Sequence, residues 1–487
     1  MGRPCRLAVS TLGLLLVSGC AVGPNFHKPA APEVTGYTPE TLPPRTAEAP
    51  IRGGGAQTLV QGMDIPGQWW TLFHSPALNA LVDHALAANA DLAAAKAALR
   101  VAKETLYAQR GAFLPSLDAD YNIVREKASE TPAPPLANNN NLFTLQTAQL
   151  TVSYTPDVFG GVRRQTETVA AQAEAQKFET QAAYLTLTSN LVSTAIQEAS
   201  VREQIDATRK IVAADREILT ILQRQKAAGQ VMGLDVAAQE AALAQAEQSL
   251  PPLEKQQAQL RDLLAALTGR LPSEPGVETL DLASISLPTD LPVSLPSRLV
   301  EQRPDIRAAE ANLHAASAQV GVAIANRLPN FTLSANAGGA ATSIADLFTN
   351  GNTFWTLTGD VTQPIFHGGT LLHRQKAAEA ALDQARAQYR STVIGAFQNV
   401  ADTLQALQAD GQAIETAARS EQAAGSSLAI TRRQLDLGQV SAAALLIAEQ
   451  TYQQAVISRL QAELARYTDT VALFQALGGG WWNRKET

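Results

Sequence analysis

No glycine or proline interrupts the chain between Val162 and Ala228, and no proline falls between Thr370 and Leu437. At about 1.5 Å per residue, each stretch predicts a helix roughly 100 Å long. A single globular core does not hold helices of that length, so neighbours must support them along their sides. The apolar positions agree. Phe178, Ala182, Leu185, Val192, Ile196 and Ala199 recur at heptad-like spacing, and Val201, Ile205, Val212, Leu219 and Leu222 continue it on a shifted phase. Heptad spacing predicts coiled-coil seams, and a change of phase is what a helix with two neighbours shows. Periodicity alone also fits a simple two-helix hairpin.

The two helices belong to two copies of one unit. Asp91-Leu92 opens a segment ending at Leu114-Pro115, and Asp305-Ile306 opens one ending at Leu328-Pro329, with both ends offset by 214 residues (305 − 91 and 328 − 114). Phe159-Gly160-Gly161 answers Phe366-His367-Gly368-Gly369, and Gly229-Gln230-Val231 answers Gly438-Gln439-Val440. An ordered series of matches marks an internal duplication, and a duplication decides architecture. Each copy reads helix, strand, loop, strand, very long helix, helix. The first copy is expected over 66–270 and the second over 298–480, followed by a tail at 481–487. Between them, 271–297 carries Pro272, Pro275, Pro288, Pro292 and Pro296 and reads as an extended linker on the surface.

The predicted strands are short. Leu117, Ala119, Tyr121 and Ile123 alternate with polar residues, as do Phe331, Leu333, Ala335 and Ala337. Their partners are Ala148, Leu150, Val152 and Tyr154 in the first copy, and Trp355, Leu357, Gly359 and Val361 in the second. Period two with one apolar face marks a half-buried strand. Polar connections, Arg125 to Asn141 and Thr342 to Thr353, join each pair. Four strands cannot close a barrel, and an open edge cannot face lipid. Other copies must complete the sheet, and three copies give twelve strands, the first multiple with room for an aqueous lumen. A soluble hairpin sheet over a core is the alternative.

The amino terminus sets the compartment. Arg3 and Arg6 precede an apolar run from Leu7 to Val17, too short for a membrane span, which ends in Leu16-Val17-Ser18-Gly19-Cys20. Residues 1–19 therefore read as a secretory signal cut before Cys20, whose thiol receives lipid; 20–65 is a lipid-anchored extended segment. The only other cysteine, Cys5, falls inside the signal, so no disulfide is expected. The net charge of −7 argues against nucleic acid. No GxxxxGK[ST], HExxH, GxSxG or CxxC motif occurs, and the six histidines are scattered. Neither an enzyme nor a metal protein is read here, and no cofactor beyond N-acyl and S-diacylglycerol lipid on Cys20.

The sequence resembles the TolC-like outer-membrane factors of tripartite efflux systems, specifically their NodT-type lipoprotein branch. The resemblance rests on Cys20-Ala21-Val22-Gly23-Pro24-Asn25-Phe26, Trp69-Trp70 with Phe73 and Leu78, Arg303-Pro304-Asp305-Ile306-Arg307-Ala308-Ala309-Glu310, and Ala476-Leu477-Gly478-Gly479-Gly480-Trp481-Trp482. The first motif has Asn25-Phe26 where the family usually carries Asp-Tyr. The resemblance implies a mainly α fold with a small β part. Long coiled-coil helices would form a periplasmic α-barrel, and four transmembrane strands per chain a twelve-stranded barrel as a homotrimer. It also implies a passive exit duct in the outer membrane, anchored by lipid and extending into the periplasm, with a periplasmic adaptor and an inner-membrane efflux transporter as partners. A lipid-anchored adaptor and a structural coiled-coil lipoprotein are the rival readings.

Closure of such a duct is expected where Gly229 and Gly438 end the long helices. The nearby candidates are Arg224, Asp235 and Glu240 in the first copy, and Arg432, Asp436, Leu445, Leu446 and Glu449 in the second. Glu240 and Glu449 occupy equivalent positions, offset by 209 like the two glycines. Ile447 and Gln450 stand where the family often has an acid and an arginine, so the expectation is a mixed seal of charges and leucines.

Overall fold

The computed structural model describes residues 21–127, 142–274 and 280–484. The predicted signal, Cys20, and most of the first strand–strand connection lie outside the described residues. In chain order the structure runs β1 (Thr58–Gln61), α1 (Pro76–Ala88), α2 (Ala90–Gly111), β2 (Ser116–Lys127), β3 (Leu142–Tyr154), α3 (Gly161–Ala227) and α4 (Gly233–Leu267). It continues with β4 (Asp290–Val293), α5 (Pro296–Gln302), α6 (Pro304–Ala325), β5 (Asn330–Ala341), β6 (Thr353–Thr362), α7 (Thr370–Asp436) and α8 (Ala442–Ala476). The duplication is literal at this level. α2 and α6 both have 22 residues, α3 and α7 both 67, and α4 and α8 both 35.

The chain forms two compact units, and each takes corresponding pieces of both copies. One comprises the described residues of Met1–Pro29, Leu99–Gln176 and Ala309–Tyr389; the other comprises those of Ala30–Ala98, Lys177–Ala308 and Arg390–Thr487. The sequence repeats are thus not the compact bodies, because a face of one copy is buried by its counterpart in the other.

In the first unit a single antiparallel sheet has the order β2-β3-β5-β6. Pairing of β3 with β5 joins the two copies. Its register lines up Leu117, Val152, Ala335 and Leu357 in one row, and Ala119, Leu150, Ala337 and Trp355 in another. Since successive side chains point to opposite faces, these rows share one apolar face. Asp118, Thr151, Asn336 and Thr356 form a polar row on the other. Every residue of β2 is exposed in the single chain, and Trp355, Leu357 and Val361 of β6 are 61–78% exposed. Among the described residues nothing pairs with the outer edge of β2 or of β6.

In the second unit the helices pack lengthwise. Leu185, Val192, Ile196 and Ala199 are buried, and so are Val201, Ile205, Val212 and Leu222, so both predicted phases are core. Trp69, Trp70 and Phe73 are fully buried, and Trp69 stacks on Phe474 with ring centroids 5.2 Å apart. Arg303 donates to the Ala476 carbonyl (2.9 Å) and pairs with Asp305 (2.7 Å), which ties the Arg-Pro-Asp motif to the end of α8. The proline-rich stretch departs from the expected surface linker. Leu280, Leu282, Ile285 and Leu291 are buried, and β4 pairs in parallel with β1. Proline without a ladder donor is tolerated here because β4 has a neighbour on one side only. No described helix is long and apolar enough to cross a membrane.

Candidate gate at the hairpin turns

Both long helices stop in the same way. Gly229 and Gly438 take left-handed φ values of 75° and 72°. Their amides donate to the carbonyls of Lys226 (3.0 Å) and Leu435 (2.9 Å), and the next amides, of Gln230 and Gln439, donate back to Gln225 and Gln434 (each 2.9 Å). This is a Schellman ending, which satisfies the last carbonyls and needs a residue tolerant of positive φ. Each following helix starts with a side-chain cap. Asp235 accepts from the Met232 amide at 3.0 Å, and Ser441 accepts from the Ala444 amide at 3.4 Å. Asp235 is therefore occupied in capping α4.

Beyond the turns the copies diverge. Glu449 of α8 is 3% exposed and its carboxylate pairs with Arg432 of α7. Glu240 is exposed. The residue matching Arg432 in the first copy is Gln223 (432 − 209), and a carboxylate without a cation stays in water. Leu445 is buried with Leu428 and Ala448, and Ile218 of α3, Leu435 and Tyr452 pack against them. Leu446 is half-buried, while Arg224 and Asp436 are exposed. A cavity of about 490 Å³ opens beside this cluster, lined among others by Lys210, Leu428, Arg432, Glu449, Tyr452 and Arg459. The structure thus brings Arg432, Glu449 and Leu445 into one neighbourhood and leaves the other candidates at the surface or in a cap.

Three residues there were not singled out in the sequence. Asp215 of α3 is 1% exposed, and its carboxylate accepts from Gln239 of α4 at 3.3 Å and from Gln453 of α8 at 3.4 Å. Gln239 also donates to the Asp215 backbone carbonyl at 3.0 Å. Burial pushes the Asp215 carboxyl above the usual range, against the two amides. A signal was available: Val212, Asp215, Leu219 and Leu222 keep heptad spacing, so an acid stands at a seam position.

The segment after Cys20 is held in the first unit. The Val22 amide donates to the Phe159 carbonyl (3.1 Å). Arg164 of α3, its side chain 5% exposed, donates to the Val22 carbonyl (3.0 Å) and to Asn25 Oδ1 (2.8 Å), and pairs with Glu167 (2.7 Å). Phe26 stacks on His314 of α6 at 4.3 Å, and His314 Nε2 lies 2.8 Å from Glu167. Burial works against the Glu167 carboxylate, but bonds from His314 and Arg164 outweigh it and hold its pKa low. Gly23 has φ 91°, and a Cβ there would overlap the backbone of Gly321.

The model of the outer membrane efflux proteins matches residues 81–270 and 295–479, most of both copies. The chain belongs to this family. It is similar to the pyoverdine export outer membrane protein OpmQ of Pseudomonas putida, 28% identical over 443 residues that cover 90% of this chain and 94% of that protein. It is also similar to outer membrane protein OprJ of Pseudomonas aeruginosa, 27% identical over 99% of this chain and 97% of that one. Among solved structures, the outer-membrane channel OprN has a TM-score of 0.83 and 26% identity, covering 95% of this chain and 100% of its own. As an outer membrane efflux protein, the chain is an exit channel of the outer membrane. Its fold is TolC-like, with the long helices of an α-barrel and a small β part.

Proposed function

We propose that three copies of the chain form one duct, in which three four-stranded sheets close a twelve-stranded barrel and the helices line a periplasmic conduit. The observation that carries this is the pair of unpartnered edges on β2 and β6, in a sheet with one apolar and one polar face. An open edge in lipid leaves each unpaired backbone group several kcal/mol worse off, so closure by further copies is required. The duct conducts passively and takes its cargo from an inner-membrane efflux transporter joined to it by a periplasmic adaptor. Lipid on Cys20 anchors the chain beside the barrel. The mass of the detergent-extracted particle tests the assembly: three chains are expected, and a monomer mass would overturn it.

The inner end of the duct is sealed by both kinds of group around α7 and α8, the Arg432–Glu449 pair and the Leu445 cluster. Exposed pairs contribute only about 0–1 kcal/mol, so the buried carboxylate and the leucines carry most of the seal. Single-channel recording separates the two. Arg432→Ala and Glu449→Ala are expected to raise conductance; if both stay shut while Leu445→Ser opens, the charges do not gate.

A further inference from the structure

Asp215 stands where three helices meet. It lies on α3, receives Gln239 from α4 of the same hairpin, and receives Gln453 from α8 of the other hairpin. Gln453 is one helical turn from Glu449, so this joint abuts the candidate seal.

Among the described residues no cation pairs with the Asp215 carboxylate. On its own helix Arg216 turns away to Glu247 of α4 (2.6 Å), and Lys210 lines the cavity. From α8, Arg459 pairs with Glu421 (2.5 Å) and Glu463 (3.0 Å), while Arg432 of α7 holds Glu449. On α4, Asp235 caps the helix and Glu240 is exposed. At 1% exposure within one chain, the carboxylate cannot be reached by a neighbouring copy either. A buried carboxylate served by two long amide bonds is poorly solvated. Meanwhile Gln239 Oε1 is a buried acceptor without a donor. A neutral carboxyl group repairs the first defect: its carbonyl oxygen keeps accepting from Gln239, and its hydroxyl can donate to the Gln453 amide oxygen once that amide turns.

We propose that Asp215 is a proton-responsive positioning residue that pins the second hairpin to the first, tightly when protonated and loosely when ionised. The elevated carboxyl gives the direction. A group whose folded value exceeds its unfolded one stabilises at low pH, and that stabilisation is lost as pH rises through the folded value. The joint therefore tightens as pH falls through the raised folded value and loosens as pH climbs above it. The consequence at the seal rests on the exit-duct reading, but the pin itself does not.

Hydrogen exchange on the detergent-solubilised full chain, corrected for intrinsic rates between pH 4.5 and 7, tests it. In the wild type, opening of segments 236–246 and 446–456 is expected to rise with pH, by up to about tenfold per unit for one linked proton. Asp215→Asn should stay closed at every pH. Gln453→Met, which removes one donor to the ionised form, should move the wild-type response to higher pH and serves if Asp215→Asn does not fold. The same pH response in wild type and Asp215→Asn, or no displacement in Gln453→Met, would overturn the proposal. Exchange that responds while conductance does not would leave the pin standing and count against the seal.

Discussion

A carboxylate inside a helical seam has to be answered by a neighbour, and this chain answers in several ways. Glu449 is answered by Arg432, whose own head is 53% exposed. Arg432→Ala should cost about 1–3 kcal/mol, towards the low end because water screens the arginine. Adding Glu449→Gln should recover most of it in denaturant unfolding. If the double variant is no more stable than the single one, the pair is not what holds Glu449. Asp410 of α7 is answered by another acid. Burial first, and Asp469 of α8 second, push it up to about 7 against the pull of Arg466. The folded chain then keeps a proton that an unfolded aspartate releases near pH 4. Stability should fall as pH rises from about 4 to 7 and level off above. Asp410→Asn should melt higher than wild type at pH 8 and match it near pH 4; a constant gap would refute the assignment. The sequence showed Glu449 and Arg432 because they flank a turn. Asp215 left its trace only in the heptad spacing around it, and the partners of Asp215 and Asp410 stayed hidden because they come from helices distant in sequence.

Among the elements, strands and long helices were the legible ones, since periods of two and of three-to-four report which face meets a core. The β2–β3 and β5–β6 pairs follow the predicted alternation; the β3–β5 pairing that fuses the copies had no local signal. α4 is a different case. It runs unbroken through Pro251 and Pro252, where proline normally ends a helix. Leu250 and Leu253 pack there on Val201, Ile205 and Leu260, so tertiary contact overrides the local preference. The linker misled in the opposite sense, its prolines outweighing leucines that β1 and the helices bury. Leu150→Asp would place a charge in the middle of the apolar rows of the sheet. A cost of about 2 kcal/mol or less is expected if that face meets lipid, read from refolding into bilayers. No loss at all would place the face elsewhere. Gly23→Val should release the segment at Ala21–Phe26, because the left-handed backbone and the Gly321 backbone both exclude a side chain. Faster proteolysis near residue 25 with an unaltered mass of the detergent-extracted particle is the expected outcome.

At the scale of the whole molecule, the proposed lipid and the proposed barrel would be separable attachments. Each buried CH₂ of an acyl chain adds about 0.8 kcal/mol, yet a closed barrel stays in the membrane without it. Cys20→Ala is thus expected to slow processing and sorting while the protein that arrives still resists carbonate extraction. An intact mass showing an unmodified Cys20 in the wild type would remove the anchor from the picture. The matched helix lengths carry a further consequence, for how such a protein can change size. One residue removed from a helix turns everything beyond it by about 100°, and only steps near seven restore a seam. Taking residues 205–211, which lie opposite α4, out of α3 alone would leave its 67-residue twin α7 and both 35-residue partners out of step. Such a deletion should abolish the oligomer, while the same cut made in all four arms should restore it. Length in this molecule is a quantised property, adjustable only in sevens and only four places at a time.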